Sequence, residues 1–197
     1  VFMGMGEPLA NYENLIRAIT VFHEDHGMAI GRRRMTVSTV GLVPPIRDLA
    51  RESITVRLAV SLNATDDRTR AELMPVARTY PLDQLVPAVG EYGRVSGQRV
   101  SFEYVLLAGV NDRLSDAKRL AGFARDAGAT INLIVFNTHP LSALQPSPID
   151  QVNRFRDALL PIAPTVTLRE SKGGDIRAAC GQLSTAYRDS KPPASPA

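Results

Sequence analysis

Short β-branched runs alternate with amphipathic helical runs along almost the whole chain, and this alternation limits the fold more than any other feature. Strands are expected at 1–5, 34–39, 55–62 ("TVRLAVSL"), 100–107 ("VSFEYVLL"), 130–136 ("TINLIVF") and 165–169. Helices are expected at 11–26, 45–52, 65–73, 82–95, 114–127 and 175–187. Tyr12, Leu15, Ile19 and Phe22 share one face of the first helix. Gly128 is placed to cap the helix at 114–127. Ser147-Pro148 should open a further helix, with Pro at its first position and Asp150 in its first turn. Strand–helix alternation of this kind implies an α/β fold. Its parallel strands are joined by right-handed crossover helices, in a barrel-like or doubly wound sheet.

The bulk properties exclude several classes. No apolar run approaches the roughly 20 residues that a membrane span needs, so no membrane partner is expected. One cysteine in 197 residues cannot form an internal disulfide, which suits a reducing cytoplasm. The net charge of +3 permits a nucleic-acid partner without requiring one. Its densest basic run, Gly31–Met35 ("GRRRM"), reads either as a solvated patch or as a phosphate contact. The chain opens inside an apolar strand, "VFMGMGEPL", without an initiator methionine, and is expected to be a fragment whose N-terminal part is missing. The closing "SKPPASPA" from Ser190 is expected to be disordered.

In parallel α/β folds a ligand sits beyond the carboxyl ends of the strands. Polar and small residues follow nearly every expected strand here. They include Gly4, Gly6 and Glu7, then Ser38, then Ser61, Leu62 and Asn63, then Asn137 with His139, and finally the run from Arg169 to Asp175. Glu7 is either a solvated loop carboxylate or a carboxylate held rigidly for a cationic group. Gly4 and Gly6 allow close backbone approach, and Pro8 fixes the turn. The lone G-x-G lacks the full dinucleotide fingerprint. Ser38, Ser61 and Asn137 read as strand-end caps or as ligand contacts, and Asn63 and Asn137 have the donors and acceptors to read an adenine edge. His139 reads as a loop histidine, while His23 and His26 fall in the last turns of the first helix. Three histidines and one cysteine give no metal-ligand cluster.

Cys180, in "GGDIRAACGQL", has two readings. A free cysteine ordinarily behaves as a small buried hydrophobe. Against that stand the Gly173-Gly174 lead-in, the nearby Lys172 and Arg177, and a helix start, all of which favour a nucleophilic thiolate.

Six collinear blocks then bear on function: "FMGMGEPLANYENL", "MTVSTVGLVPPIRDLA", "LAVSLNATDDRTRAELMPV", "FEYVLLAGVND", "NLIVFN" and "RESKGGDIRAACGQL". From Val1 to about Leu183 they resemble the radical S-adenosylmethionine (SAM) RNA adenine-C2 methyltransferases of the RlmN/Cfr family. The resemblance implies a partial (β/α) barrel binding SAM and a [4Fe-4S] cluster. It implies residues 1–188 as the C-terminal portion of the radical SAM core, and 189–197 as a tail. It also implies SAM contacts from Gly6, Glu7, Ser38, Ser61, Leu62, Asn63 and Asn137, and a methyl-carrying Cys180. In the implied mechanism one SAM methylates the cysteine. A second SAM yields a radical that activates the S-methyl group for addition to adenine C2. A second, upstream cysteine then pairs with Cys180 as product leaves. The implied substrate is 23S rRNA, with tRNA as a further substrate, and the electron donor is of flavodoxin or ferredoxin type. A cytoplasmic monomer is expected.

The departures matter. The C-x-x-x-C-x-x-C cluster motif, the second cysteine and the N-terminal accessory domain are missing, so no cluster ligand is expected within this chain, which by itself is expected to be inactive. Asn63 stands where the family has histidine, Ala77 ends "MPVA" where the family has "MPVN", and Val135 replaces a proline. Two alternatives stay open: a non-catalytic SAM- or RNA-binding remnant or diverged paralogue, and a radical SAM enzyme acting on a small molecule.

Overall fold

The computed structural model describes residues 1–4, 6–138 and 142–169. Five strands form one sheet: β1 (Thr36–Thr39), β2 (Arg57–Ser61), β3 (Val100–Leu106), β4 (Thr130–Val135) and β5 (Val166–Arg169). Every neighbouring pair is parallel, and the spatial order is β1-β2-β3-β4-β5. Each strand therefore lies beside its predecessor in sequence. A doubly wound sheet would reverse direction at a switch point; this sheet advances one way only, as a partial (β/α) barrel does.

One-way winding with crossovers of one hand puts the helices on one face. The helices are α1 (Tyr12–His23), α2 (Val43–Leu49), α3 (Asp67–Leu73), α4 (Leu82–Ser96), α5 (Leu114–Ala127) and α6 (Ile149–Leu159). Packing of α2 on α4, α4 on α5 and α5 on α6 builds a continuous layer. The period-2 alternation of the strands does the rest. Val37, Leu58, Val60, Phe102, Tyr104, Leu106, Ile131 and Leu133 are buried in one core with Ile46, Leu85, Val89, Leu120 and Phe155. The intervening residues face the concave side, and there the sheet is polar: Thr36, Ser38, Ser61, Ser101, Glu103, Thr130, Asn132 and Thr167.

Element boundaries differ from expectation at identifiable places. The strand expected at 1–5 is a single parallel bridge between Phe2 and Val37, with Phe2 N–H donating to Thr36 O and Ser38 N–H to Phe2 O. Arg32–Arg34 forms a 3₁₀ turn, so β1 starts two residues later than expected. Helix α2 starts at Val43 because Pro44 and Pro45 sit in its first turn, where no backbone N–H is needed. Pro148, not Ser147, occupies the N-cap of α6, and the Ser147 hydroxyl donates instead to Asp112 Oδ2 at 2.8 Å. Helix α5 and its left-handed Gly128 cap match expectation residue for residue. The expected helix at 175–187 and the expected tail lie outside the described residues.

Candidate ligand-binding rim

The carboxyl ends of the strands carry most of the expected site residues. Gly4 (φ +133°) and Gly6 (φ +91°) lie in the left-handed half of backbone space, and a Cβ on either would meet nothing. Glycine is needed there for conformation, and it leaves the loop's backbone bare. Glu7 follows and is half-buried. Its Oε1 accepts from Leu9 N–H at 2.9 Å, capping the 3₁₀ turn Pro8–Asn11, and its Oε2 accepts from Val40 N–H at 2.7 Å. The carboxylate thus stitches the first rim loop to the loop after β1. Each oxygen keeps a lone pair for a further donor.

Ser38 and Ser61 sit on the concave face near the ends of β1 and β2, half-buried, and neither hydroxyl bonds another described residue. Leu62 is fully buried and offers the rim only backbone. Asn63 is the turning point. It holds φ +55°, a conformation that asparagine tolerates better than most residues. Its Oδ1 accepts from Val105 N–H at 3.0 Å and its Nδ2 reaches Met74 Sδ at 3.5 Å. The asparagine amide expected to read an adenine edge is therefore engaged with β3 and the loop after α3. Asn137, two residues beyond β4, is half-buried on the same rim.

Two groups that the sequence reading did not single out hold this rim together. Arg70 on α3 is completely buried. Its guanidinium donates to Leu62 O (3.2 Å), Tyr80 O (3.1 Å) and Val40 O (2.6 Å), and no carboxylate contacts it. Burial pulls its pKa down to about 10, with Asp67 opposing, so it stays charged at neutral pH. Val40 is gripped from both sides, its N–H by Glu7 and its carbonyl by Arg70. A Cβ on Gly41 (φ +104°) would press on Leu85 and approach Arg70 Nη2 to 3.2 Å. The second group is the turn after β3. Asn111 Nδ2 donates to the carbonyls of Asn63 and Val105 (2.7 Å each), and its Oδ1 accepts from Leu107 N–H. Asp112 accepts from Gly109 N–H and Ser147. Asp116 accepts from Thr65 and Arg119. "GVND" was a legible turn signal; Arg70 had none.

Other expectations fall elsewhere. Cys180, His139 and the run from Glu170 to Asp175 lie outside the described residues. His23 ends α1, with Nδ1 3.1 Å from Ile30 O, and His26 stands in the turn beyond. Among the described residues no group of His, Cys, Asp and Glu could hold a metal ion, and no helix is long and apolar enough to cross a membrane.

No protein-family model matches the chain. Curated relatives do. A dual-specificity RNA methyltransferase RlmN of Syntrophobacter fumaroxidans is 50% identical over 187 residues, which is 95% of this chain and 54% of that protein. The RlmN of Geobacter sulfurreducens is 50% identical over 183 residues, covering 93% and 51%. A crystal structure of a radical SAM methyltransferase from Sphaerobacter thermophilus superposes with a TM-score of 0.87 at 46% identity, covering 91% of this chain and 53% of that one. Over the matched span this chain is a relative of the RlmN radical SAM methyltransferases. It spans about half the length of the curated relatives it matches. A domain of a pyruvate-formate lyase-activating enzyme from Bacteroides vulgatus shares the fold, with a TM-score of 0.65 at 18% identity.

Proposed function

We propose that this chain supplies the SAM-binding half of a radical SAM RNA methyltransferase acting on an adenosine. The observation that carries the reading is Glu7, a carboxylate locked at the strand ends by two backbone N–H groups with acceptor capacity to spare. The rim residues fit the amino-acid and ribosyl parts of SAM. Glu7 would take its ammonium, the free hydroxyls of Ser38 and Ser61 would meet its polar edge, and Gly4 and Gly6 let the backbone approach closely. Bound there, SAM supplies the methyl group. A [4Fe-4S] cluster does not fit this chain, which has one cysteine, and no step is derived through it.

The chain's own residues then have distinct tasks. Arg70 and Asn111 hold the loops of three successive strands at fixed height, so that the carboxylate and hydroxyls are placed before a ligand arrives. Asn137 closes the rim at β4. Cys180, as a thiolate, is the methyl carrier, and the acceptor is C2 of an adenosine in 23S rRNA or tRNA. A duplex does not expose that atom, so the base must be unstacked to reach it. Electrons come from a flavodoxin- or ferredoxin-type donor, and the protein acts as a cytoplasmic monomer. The family resemblance supports these finer assignments.

Expression of the gene in a bacterium that makes no 2-methyladenosine tests the proposal. Digested 23S rRNA and tRNA should then contain 2-methyladenosine, a Cys180 peptide should be found S-methylated by mass spectrometry, and Cys180→Ala should abolish the RNA product. RNA still methylated by the Cys180→Ala protein contradicts the mechanism.

A further inference from the structure

One register row crosses the concave face just below the rim: Ser61 beside Glu103, Glu103 beside Asn132, and Asn132 beside Thr167. Glu103 is only 9% exposed. Its Oε1 accepts from Ser101 Oγ at 2.8 Å and from Asn132 Nδ2 at 2.7 Å, and Asn132 Oδ1 in turn accepts from the Thr167 hydroxyl. All these donors converge on one oxygen. The other, Oε2, has no partner among the described residues. Every fully enclosed side-chain nitrogen or oxygen of the described residues is hydrogen-bonded, so Oε2 opens onto the lumen, a cavity of about 370 Å³ that Glu103 lines. A carboxylate this far from bulk water, served only by neutral donors, is short of one hydrogen bond.

The surroundings select the missing donor. Arg57, Arg99 and Arg169 line the same cavity, and none has an ion-pair partner among the described residues. Three positive charges against one negative disfavour a cationic occupant, which leaves a neutral donor. Ser61, whose hydroxyl is also free, stands one strand away in register, about 4.8 Å across the sheet. Two open polar groups at that spacing match a pair of vicinal hydroxyls, and a carboxylate is a standard acceptor for them.

We propose that Glu103 Oε2, together with Ser61, binds the ribose hydroxyls of the adenosyl ligand, so that the ribose is read from below the rim. The assignment rests on the reading of the rim as an adenosyl site. The test is calorimetric titration of the chain with S-adenosylhomocysteine and with its 2′,3′-dideoxy analogue. The parent should prefer the ribose form by about tenfold or more, the strength of a hydrogen bond to a charged group. In Glu103→Gln that preference should collapse, with the far-UV circular dichroism and melting temperature retained. Should Glu103→Gln not fold, Glu103→Asp serves: it keeps the charge, draws the carboxylate back by one methylene, and should show the same collapse. An undiminished preference in the variant overturns the ribose assignment alone. If the parent binds neither compound, the rim reading fails, and the ribose assignment fails with it.

Discussion

The two ends of the sheet are tied down by different chemistry. At the carboxyl ends the anchors are charged: Glu7, Arg70, Asp112 and Asp116, each bonded to backbone or hydroxyl groups of neighbouring loops. At the amino ends the buried anchors are neutral. The Tyr92 hydroxyl donates to Val56 O at 2.5 Å, Gln98 donates to Thr55, and Ser96 donates to the Tyr92 carbonyl. The charges at that end, Arg32–Arg34, Arg57 and Arg99, stand in solvent. Charge costs more to bury than a neutral polar group does. The fold accepts that cost only at the end where loops must be held at set heights, and leaves the other end to ordinary turn chemistry.

Substitutions at the two ends should therefore differ in size and in pH response. Arg70→Met should have the largest effect. It strands three buried carbonyls and should destabilise the fold by about 3–5 kcal/mol in urea titrations; a loss below about 1 kcal/mol would mean that the rim does not depend on it. Glu7→Ala removes a cap and the stitch to Val40, and should cost about 1–2 kcal/mol. It should also weaken S-adenosylhomocysteine binding, which calorimetry would show.

The neutral end should answer to alkaline pH. Burial raises the Tyr92 pKa to about 12, above its ordinary value of 10. The folded state then holds that proton more tightly than the unfolded chain does. Its contribution is complete below pH 10 and is lost as pH climbs through about 12. Tyr92→Phe should reduce the slope of stability against pH in that window, and an unchanged slope would assign it to Tyr12 and Tyr104, which burial also raises. Smallest of all, Arg57→Ala and Arg99→Ala should stay within about 0.5 kcal/mol. The two arginines are register neighbours of like charge, and removing one relieves repulsion.

What could be read from the sequence follows the same division. Alternation, β-branching and Gly128 specify the parallel sheet and α5, because local pattern and tertiary context agree there. Gly-x-Gly-Glu-Pro marked the first rim loop, since each residue type has a conformational reason to be there. Arg70 was not legible: in "DRTRAEL" an arginine reads as a solvated helix charge, and only the convergence of Val40, Leu62 and Tyr80 buries it. Glu103 was hidden in the same way inside an apolar strand. Asn63 was noticed as a departure from a family pattern, but its left-handed backbone, and therefore its engagement with Val105, depends on how β2 ends against β3. The strand at 1–5 read as independent because its apolar residues alternate, yet of those residues only Phe2 pairs with β1.

The central claim is that the carboxyl-end rim, and not the amino end, receives the adenosyl ligand. Titration of the ¹⁵N-labelled chain with S-adenosylhomocysteine, followed through backbone amide shifts, tests it most directly. The account predicts saturating shifts at Leu9, Val40, Asn63 and Val105 and none at Arg57 and Arg99. Shifts centred on the amino-end arginines, or none at the rim at saturating ligand, would contradict it.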